Sequence, residues 1–132
     1  MAINKHTFEL DSEDSLIVLP CLVNDEQIAL ALDTGASHTV VDLTKLMMCG
    51  YRIADAIENV KFETAKGEVE AYVFEVDIFV ALGIILKKVR VASYDFLANN
   101  LMSDIDGVLG LDFFRNTELC INFKTCEIEL KK

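Results

Sequence analysis

The chain has 132 residues, 52% of them hydrophobic. That excludes a disordered chain and gives enough apolar surface for a core without staples, with a surplus that suits a subunit interface. The formal charge of −10, from 22 acidic and 12 basic side chains, argues against recognition of nucleic-acid phosphates, which needs a basic footprint. The longest uncharged apolar run, Ile78 to Leu86, is far short of the ~20 residues of a membrane-spanning helix.

In chain order, Met1 to His6 leads into no apolar segment, so no secretory signal is expected. Leu16 to Val23 and Gln27 to Leu32 are apolar runs separated by the turn signal Asn24-Asp25-Glu26, which predicts a hairpin. Pro20 cannot donate to a ladder and belongs at an edge or bulge. Asp42 to Gly50 reads as a short helix with Asp42 as N-cap and Gly50 as its C′ residue. Val60 to Thr64 and Val69 to Val80 flank a second hairpin tip, Ala65-Lys66-Gly67-Glu68. Ile84 to Ser93 is another strand, and a second short helix is expected after Asp112. Leu119 to Phe123 and Cys126 to Leu130 form a last hairpin across Lys124-Thr125. Many short strands with frequent turns predict an all-β sandwich or barrel, a single domain over residues 1–132.

Four cysteines, Cys21, Cys49, Cys120 and Cys126, contain no CxxC pair, and the only histidines are His6 and His38. A zinc site would need scattered ligands, so the cysteines read as buried free thiols in a reducing, cytoplasmic compartment.

Chemistry concentrates in Leu30-Ala31-Leu32-Asp33-Thr34-Gly35-Ala36-Ser37-His38. An apolar strand runs into a carboxylate, a hydroxyl and a glycine. Gly35 permits a tight turn or a positive φ. An Asp33 carboxylate at the end of a buried strand should gain proton affinity. Taken alone, the tripeptide reads first as an ordinary Asp-x-Gly turn; such a tripeptide arises by composition in on the order of 5% of chains this long. A second segment, Asp106-Gly107-Val108-Leu109-Gly110-Leu111-Asp112-Phe113, places two apolar residues between glycines and ends in a helix start that Asp112 can cap. Other motifs fail: Gly35-Ala36-Ser37 lacks the second glycine of a nucleophile elbow, and a calcium loop at Asp104-Ile105-Asp106-Gly107 would put Met102 and Phe113 where carboxylates are required.

Together the two segments resemble the retropepsin-like single-domain aspartic proteases, across about residues 15 to 130. Asp33-Thr34-Gly35-Ala36-Ser37 is similar to the family's active-site motif, and Gly107-Val108-Leu109-Gly110 to its second signature. The resemblance implies an all-β closed barrel with one or two short helices, acting as a twofold homodimer. Each subunit would supply one catalytic Asp33; Thr34, Gly35, Ala36 and Ser37 would support the loop. Ala65, Lys66 and Gly67 would tip a flap, and Gly107, Val108, Leu109 and Gly110 would brace the loop from beneath. The implied activity is peptide-bond hydrolysis by water activated between two carboxylates sharing a proton, with no metal or cofactor. The implied partners are a second copy and an extended polypeptide substrate, with no nucleic acid and no membrane. Retroviral members often pair an acid at the position of Ser37 with a base at that of Leu111; both are absent here, which bears on substrate preference and dimer strength. His38 reads as an exposed loop residue or as a tuner of specificity. The net charge predicts attraction of basic peptides. The alternative reading is a dimer of the same fold that binds peptides or proteins in its cleft and cleaves them poorly or not at all.

Overall fold

In chain order the elements are β1 (Ile3–Thr7), β2 (Val18–Val23), β3 (Glu26–Leu32), β4 (Val40–Asp42), α1 (Leu43–Met48), a 3-10 turn (Ile53–Asp55), β5 (Glu58–Thr64), β6 (Gly67–Ala81), β7 (Ile84–Tyr94), β8 (Gly107–Leu109), α2 (Leu111–Phe114), β9 (Glu118–Asn122) and β10 (Glu127–Lys131). They come from a computed structural model that describes residues 3–13, 15–65, 67–96 and 104–132.

Strands β2-β3-β8-β4-β7-β6 follow one another in the sheet, and β6 pairs back onto β2, so six strands close a barrel. Strand β5 extends it from β6. A separate three-stranded antiparallel sheet, β1-β10-β9, joins the two ends of the chain, from Ile3 opposite Lys131 to Thr7 opposite Glu127. The core includes Leu19, Val23, Leu30, Val41, Leu46, Phe74, Val76, Phe79, Leu109, Ile128 and Leu130, each no more than 1% exposed.

Local chemistry accounts for the hairpins. Asn24 and Asp25 connect β2 to β3 with φ of 48° and 73°, the two left-handed residues that a two-residue hairpin loop of matching twist requires. Leu82 and Gly83 do the same between β6 and β7, with φ of 50° and 75°. Pro20 lies in the half of β2 that pairs only with β3; Cys21 to Val23 pair on both sides. Helix α1 ends in a Schellman arrangement. Gly50, at φ 104°, donates to the Met47 carbonyl at 3.1 Å and Tyr51 donates to the Leu46 carbonyl at 3.1 Å.

Two expected caps are absent. Asp42 stands at the N-cap position of α1 without a side-chain capping bond; its Oδ1 accepts the Phe96 N–H at 3.0 Å instead. Gly110, not Asp112, is the N-cap of α2, and Asp112 lies in the first turn. The thiols also differ from expectation. All four are free, but only Cys21 is buried, while Cys120 points outward from β9 and is exposed. Burial pushes the Cys21 thiol up to about 12 and raises Cys49 in the same direction. Among the described residues no helix is long and apolar enough to cross a membrane.

Candidate active site

Strand β3 delivers Asp33 to the end of the barrel. Its last residue, Leu32, is in parallel register with Leu109 of β8, and the Asp33 N–H donates to the Leu109 carbonyl at 3.1 Å. The chain then turns, with the Ala36 N–H donating to the Asp33 carbonyl at 3.2 Å. Inside the turn the Gly35 N–H donates to Asp33 Oδ1 at 2.9 Å, which fixes the carboxylate's orientation. Gly35 is not in the left-handed region. Its requirement is proximity: a Cβ there would stand 3.1 Å from Asp33 Oδ1. Asp33 and Ala36 are half-buried, whereas Thr34, Gly35, Ser37 and His38 are exposed. The apolar strand before Asp33 therefore does not enclose its carboxylate within one chain.

The second signature lies directly against this loop. The Leu111 N–H donates to the Ala36 carbonyl at 2.8 Å. A Cβ on Gly110 would fall 2.6 Å from the His38 carbonyl carbon, and one on Gly107, at φ 156°, only 1.9 Å from the Val40 carbonyl oxygen. Both glycines are thus required by close backbone approach. Val108 lies between β3 and β4, opposite Ala31 and Val40, and Leu109 is fully buried.

Two residues of the site, Thr39 and Asp106, carried no role in the sequence. Thr39 is buried at 3% exposure. Its Oγ1 donates to Asp112 Oδ1 at 2.7 Å and accepts the Gly110 N–H at 3.1 Å, while its N–H reaches both Asp112 oxygens at 3.0 Å. This hub fastens the end of the active-site loop to the start of α2, and it is the use Asp112 has in place of capping. Asp106 fastens the other side: its Oδ2 accepts the Ala29 N–H at 2.8 Å and its carbonyl accepts the Asp42 N–H at 2.7 Å. The partners of each bond are about seventy residues apart in the chain, so no local motif encodes them.

The hairpin β5–β6 lines part of a neighbouring cavity. Its register divides it into two faces. Lys61 opposite Glu70, and Glu63 opposite Glu68, make one charged face; Val60 opposite Ala71 lies on the other. A cavity of ≈ 260 Å³ is lined by Val60 and Val73 of this hairpin and by Val91 and Ala92 of β7, where Val73 and Ala92 are cross-strand partners. His38 lies at its edge, its Nδ1 2.9 Å from Ser37 Oγ, beside the exposed Glu58–Arg90 pair at 3.8 Å. Of the expected tip, Ala65 and Gly67 are exposed, and Lys66 lies outside the described residues.

No curated protein sequence matches the chain. Solved structures share its fold. A retropepsin-like aspartic protease from Rickettsia conorii aligns with a TM-score of 0.70 at 18% identity, over 98% of this chain and 91% of that one. EIAV protease in complex with an inhibitor aligns at 0.62 and 20% identity, over 82% and 93%. The retroviral protease-like domain of Ddi1 from Leishmania major aligns at 0.56 and 14%, over 85% of each chain. The aspartyl protease family model matches residues 19–113, which contain both glycine-flanked segments. A barrel that brings Asp33-Thr34-Gly35 against Gly107–Gly110, together with that match, shows that this chain belongs to the aspartyl protease family and has the retropepsin-like fold.

Proposed function

We propose that the protein is a homodimeric aspartic endopeptidase. The observation that carries this reading is the placement of Asp33. The carboxylate is oriented by the Gly35 N–H on a loop fastened from beneath by two bonds to the second signature, yet it stays half-open at the surface of a single chain. One such motif per chain is half a site, and a second copy across a twofold axis completes it. The exposed Thr34, and Leu111 at 45% exposure beside the loop, suit that interface.

Two Asp33 carboxylates a few ångströms apart share one proton, because both cannot ionise at that distance. The ionised one takes a proton from a bound water as its oxygen bonds to the scissile carbonyl carbon. The protonated one donates to the carbonyl oxygen. Collapse of the tetrahedral intermediate then breaks the C–N bond, with a proton passing to the departing amine. The step requires no metal, cofactor or covalent intermediate. Thr34 holds the two loops in register across the dimer, and Gly35 lets substrate backbone approach. Ala36 and Ser37 shape the loop, and Gly107 to Gly110 brace it. The hairpin tipped by Ala65, Lys66 and Gly67 acts as a flap that closes over an extended peptide and excludes water. Four free thiols suit a reducing compartment such as the cytoplasm.

Incubation with a mixed peptide library from pH 4 to 7.5, with wild type and Asp33→Asn in parallel, tests the reading. Cleavage by the wild type that disappears in the variant is expected. Cleavage that survives Asp33→Asn, or none from a folded dimer, contradicts it.

A further inference from the structure

Half of β2 is an open strand edge. Among the described residues Val18, Leu19 and Pro20 pair with β3 alone, because β6 reaches β2 only at Cys21 to Val23. The Leu32 N–H donates to the Ile17 carbonyl at 2.8 Å, which sets the alternation of the β2–β3 ladder. Ile17 and Leu19 turn their backbone groups to β3, so Val18 and Pro20 turn theirs away from it. The open edge therefore offers the Val18 N–H and the carbonyls of Val18 and Pro20, since proline has no N–H. Neither residue has a further hydrogen bond among the described residues. A cavity of ≈ 590 Å³ is lined by Val18 and Pro20, by Leu16 and by the end of β1, a strand that itself pairs only with β10. Leu16 and Val18 are 57% and 37% exposed.

The charge around this groove is of one sign. Glu9, Asp11 and Asp104 line it; all three are exposed, and none has an ion pair or hydrogen bond among the described residues. No lysine or arginine lines it, and the remaining titratable group is His6. Lys5, beside His6 in the chain, is held by Glu129 at 3.3 Å. An open edge, exposed aliphatic side chains and unneutralised carboxylates together match an extended peptide that carries aliphatic and basic residues. A second copy fits this groove poorly. The chain is acidic, and its densest basic run, Lys87-Lys88-Val89-Arg90, is already part of the β6–β7 ladder.

We propose that this groove docks a basic, extended segment of a partner polypeptide, which adds as a short strand to the open edge of β2. The site does not depend on the peptidase reading. N–H groups of the segment donate to the Val18 and Pro20 carbonyls, and one of its carbonyls accepts the Val18 N–H. Three edge residues span about 10 Å, so about three to four residues of the partner are engaged. Their lysine or arginine side chains meet Glu9, Asp11 and Asp104, and their aliphatic ones cover Leu16 and Val18. The backbone bonds hold the segment, and the carboxylates select its sign.

The test uses two labelled eight-residue peptides, one alternating valine with lysine and one alternating valine with glutamine. Binding to the Asp33→Asn protein is followed by fluorescence anisotropy, so that no cleavage consumes the probe. The lysine peptide is expected to bind about five-fold or more tightly, because each exposed charge pair is worth about two- to five-fold. Combining Glu9→Gln, Asp11→Asn and Asp104→Asn should abolish that difference. Combining Glu26→Gln, Glu70→Gln and Glu75→Gln removes the same net charge outside the groove and should retain it. A lysine peptide methylated on its backbone nitrogens should bind about five-fold more weakly, having lost its donors to the edge. Equal binding of the valine–lysine and valine–glutamine peptides, no binding of either, an equal loss in both triple variants, or full binding by the methylated peptide overturns the proposal. Sedimentation velocity on the groove variant completes the test: loss of self-association would assign the groove to a second copy and overturn it as well.

Discussion

Replacing Thr39 by valine removes one hydroxyl from the interior and keeps the shape of the side chain. That hydroxyl donates to the Asp112 carboxylate at 2.7 Å and accepts the buried Gly110 N–H at 3.1 Å. A bond to a charged group contributes about 1.5–3 kcal/mol, and a buried donor left without a partner costs about 1–3 kcal/mol. Asp112 keeps the Thr39 N–H, so the lower part of the first range applies. The sum is about 2.5–5 kcal/mol, a large fraction of the roughly 5–15 kcal/mol that holds a typical domain folded. At about 3–5 °C per kcal/mol for a chain of this size, the melting temperature should fall by about 8–25 °C. Circular dichroism at one fixed protein concentration reads it, since association also shifts the midpoint. Thr39→Ser retains the hydroxyl and loses one methyl, and should cost only about 1 kcal/mol. A Thr39→Val protein within about 0.5 kcal/mol of wild type, or a serine variant as damaged as the valine one, would refute the hub.

Gly110→Ala should be among the most damaging single changes, because the added Cβ meets backbone 2.6 Å away rather than a side chain that can move. A loss of more than about 2 kcal/mol in urea unfolding, or failure to fold, is expected, and near-wild-type stability would contradict it. Gly35→Ala has a different signature: its Cβ would press on Asp33 Oδ1 at 3.1 Å, so peptide cleavage should fall further than stability does. Thiol labelling of the native protein should modify exposed Cys120 first and buried Cys21 only as the protein unfolds; early labelling of Cys21 would place it wrongly. The Cys21 thiol is held near 12 in the fold against 9.0 as its ordinary value. Between those limits the unfolded chain loses a proton that the folded chain keeps, so stability falls as pH rises, by up to about 1.4 kcal/mol per pH unit from this group. Urea titrations from pH 8 to 11 should show a steeper alkaline decline in wild type than in Cys21→Ala, and equal slopes would refute the assignment.

How legible the molecule is in its sequence depends on how local each determinant is. The hairpins announce themselves, because Asn24-Asp25 and the apolar runs beside it lie within one short window, and the terminal hairpin alternates cleanly through Glu127 to Leu130. Strand β1 does not, since Ile3 to Thr7 alternate too little to signal a strand and pair only because β10 returns beside them. Strands β4 and β8 have three residues each and no period to detect; partners contributed from elsewhere in the barrel define them.

The site divides in the same way. Asp33 and its glycine are readable because a carboxylate at the end of an apolar strand is a local pattern. Asp112 is misread as a cap because N-cap chemistry is also local, whereas its actual partner, Thr39, lies 73 residues away. Gly35 shows a subtler limit. Its presence is legible, but the reason for it, a carboxylate oxygen where a Cβ would press, exists only once the turn has formed.

The central claim, that two chains make one catalytic site, is tested most directly by mixing subunits. Wild-type and Asp33→Asn proteins would be combined in varied ratios, allowed to exchange, and assayed on a peptide that the wild type cleaves. If both carboxylates are needed, an equal mixture retains about a quarter of the activity of the same total amount of wild-type protein, and activity follows the square of the wild-type fraction. Activity proportional to the wild-type fraction, about half at equal mixing, would mean that each chain acts alone and would contradict the account.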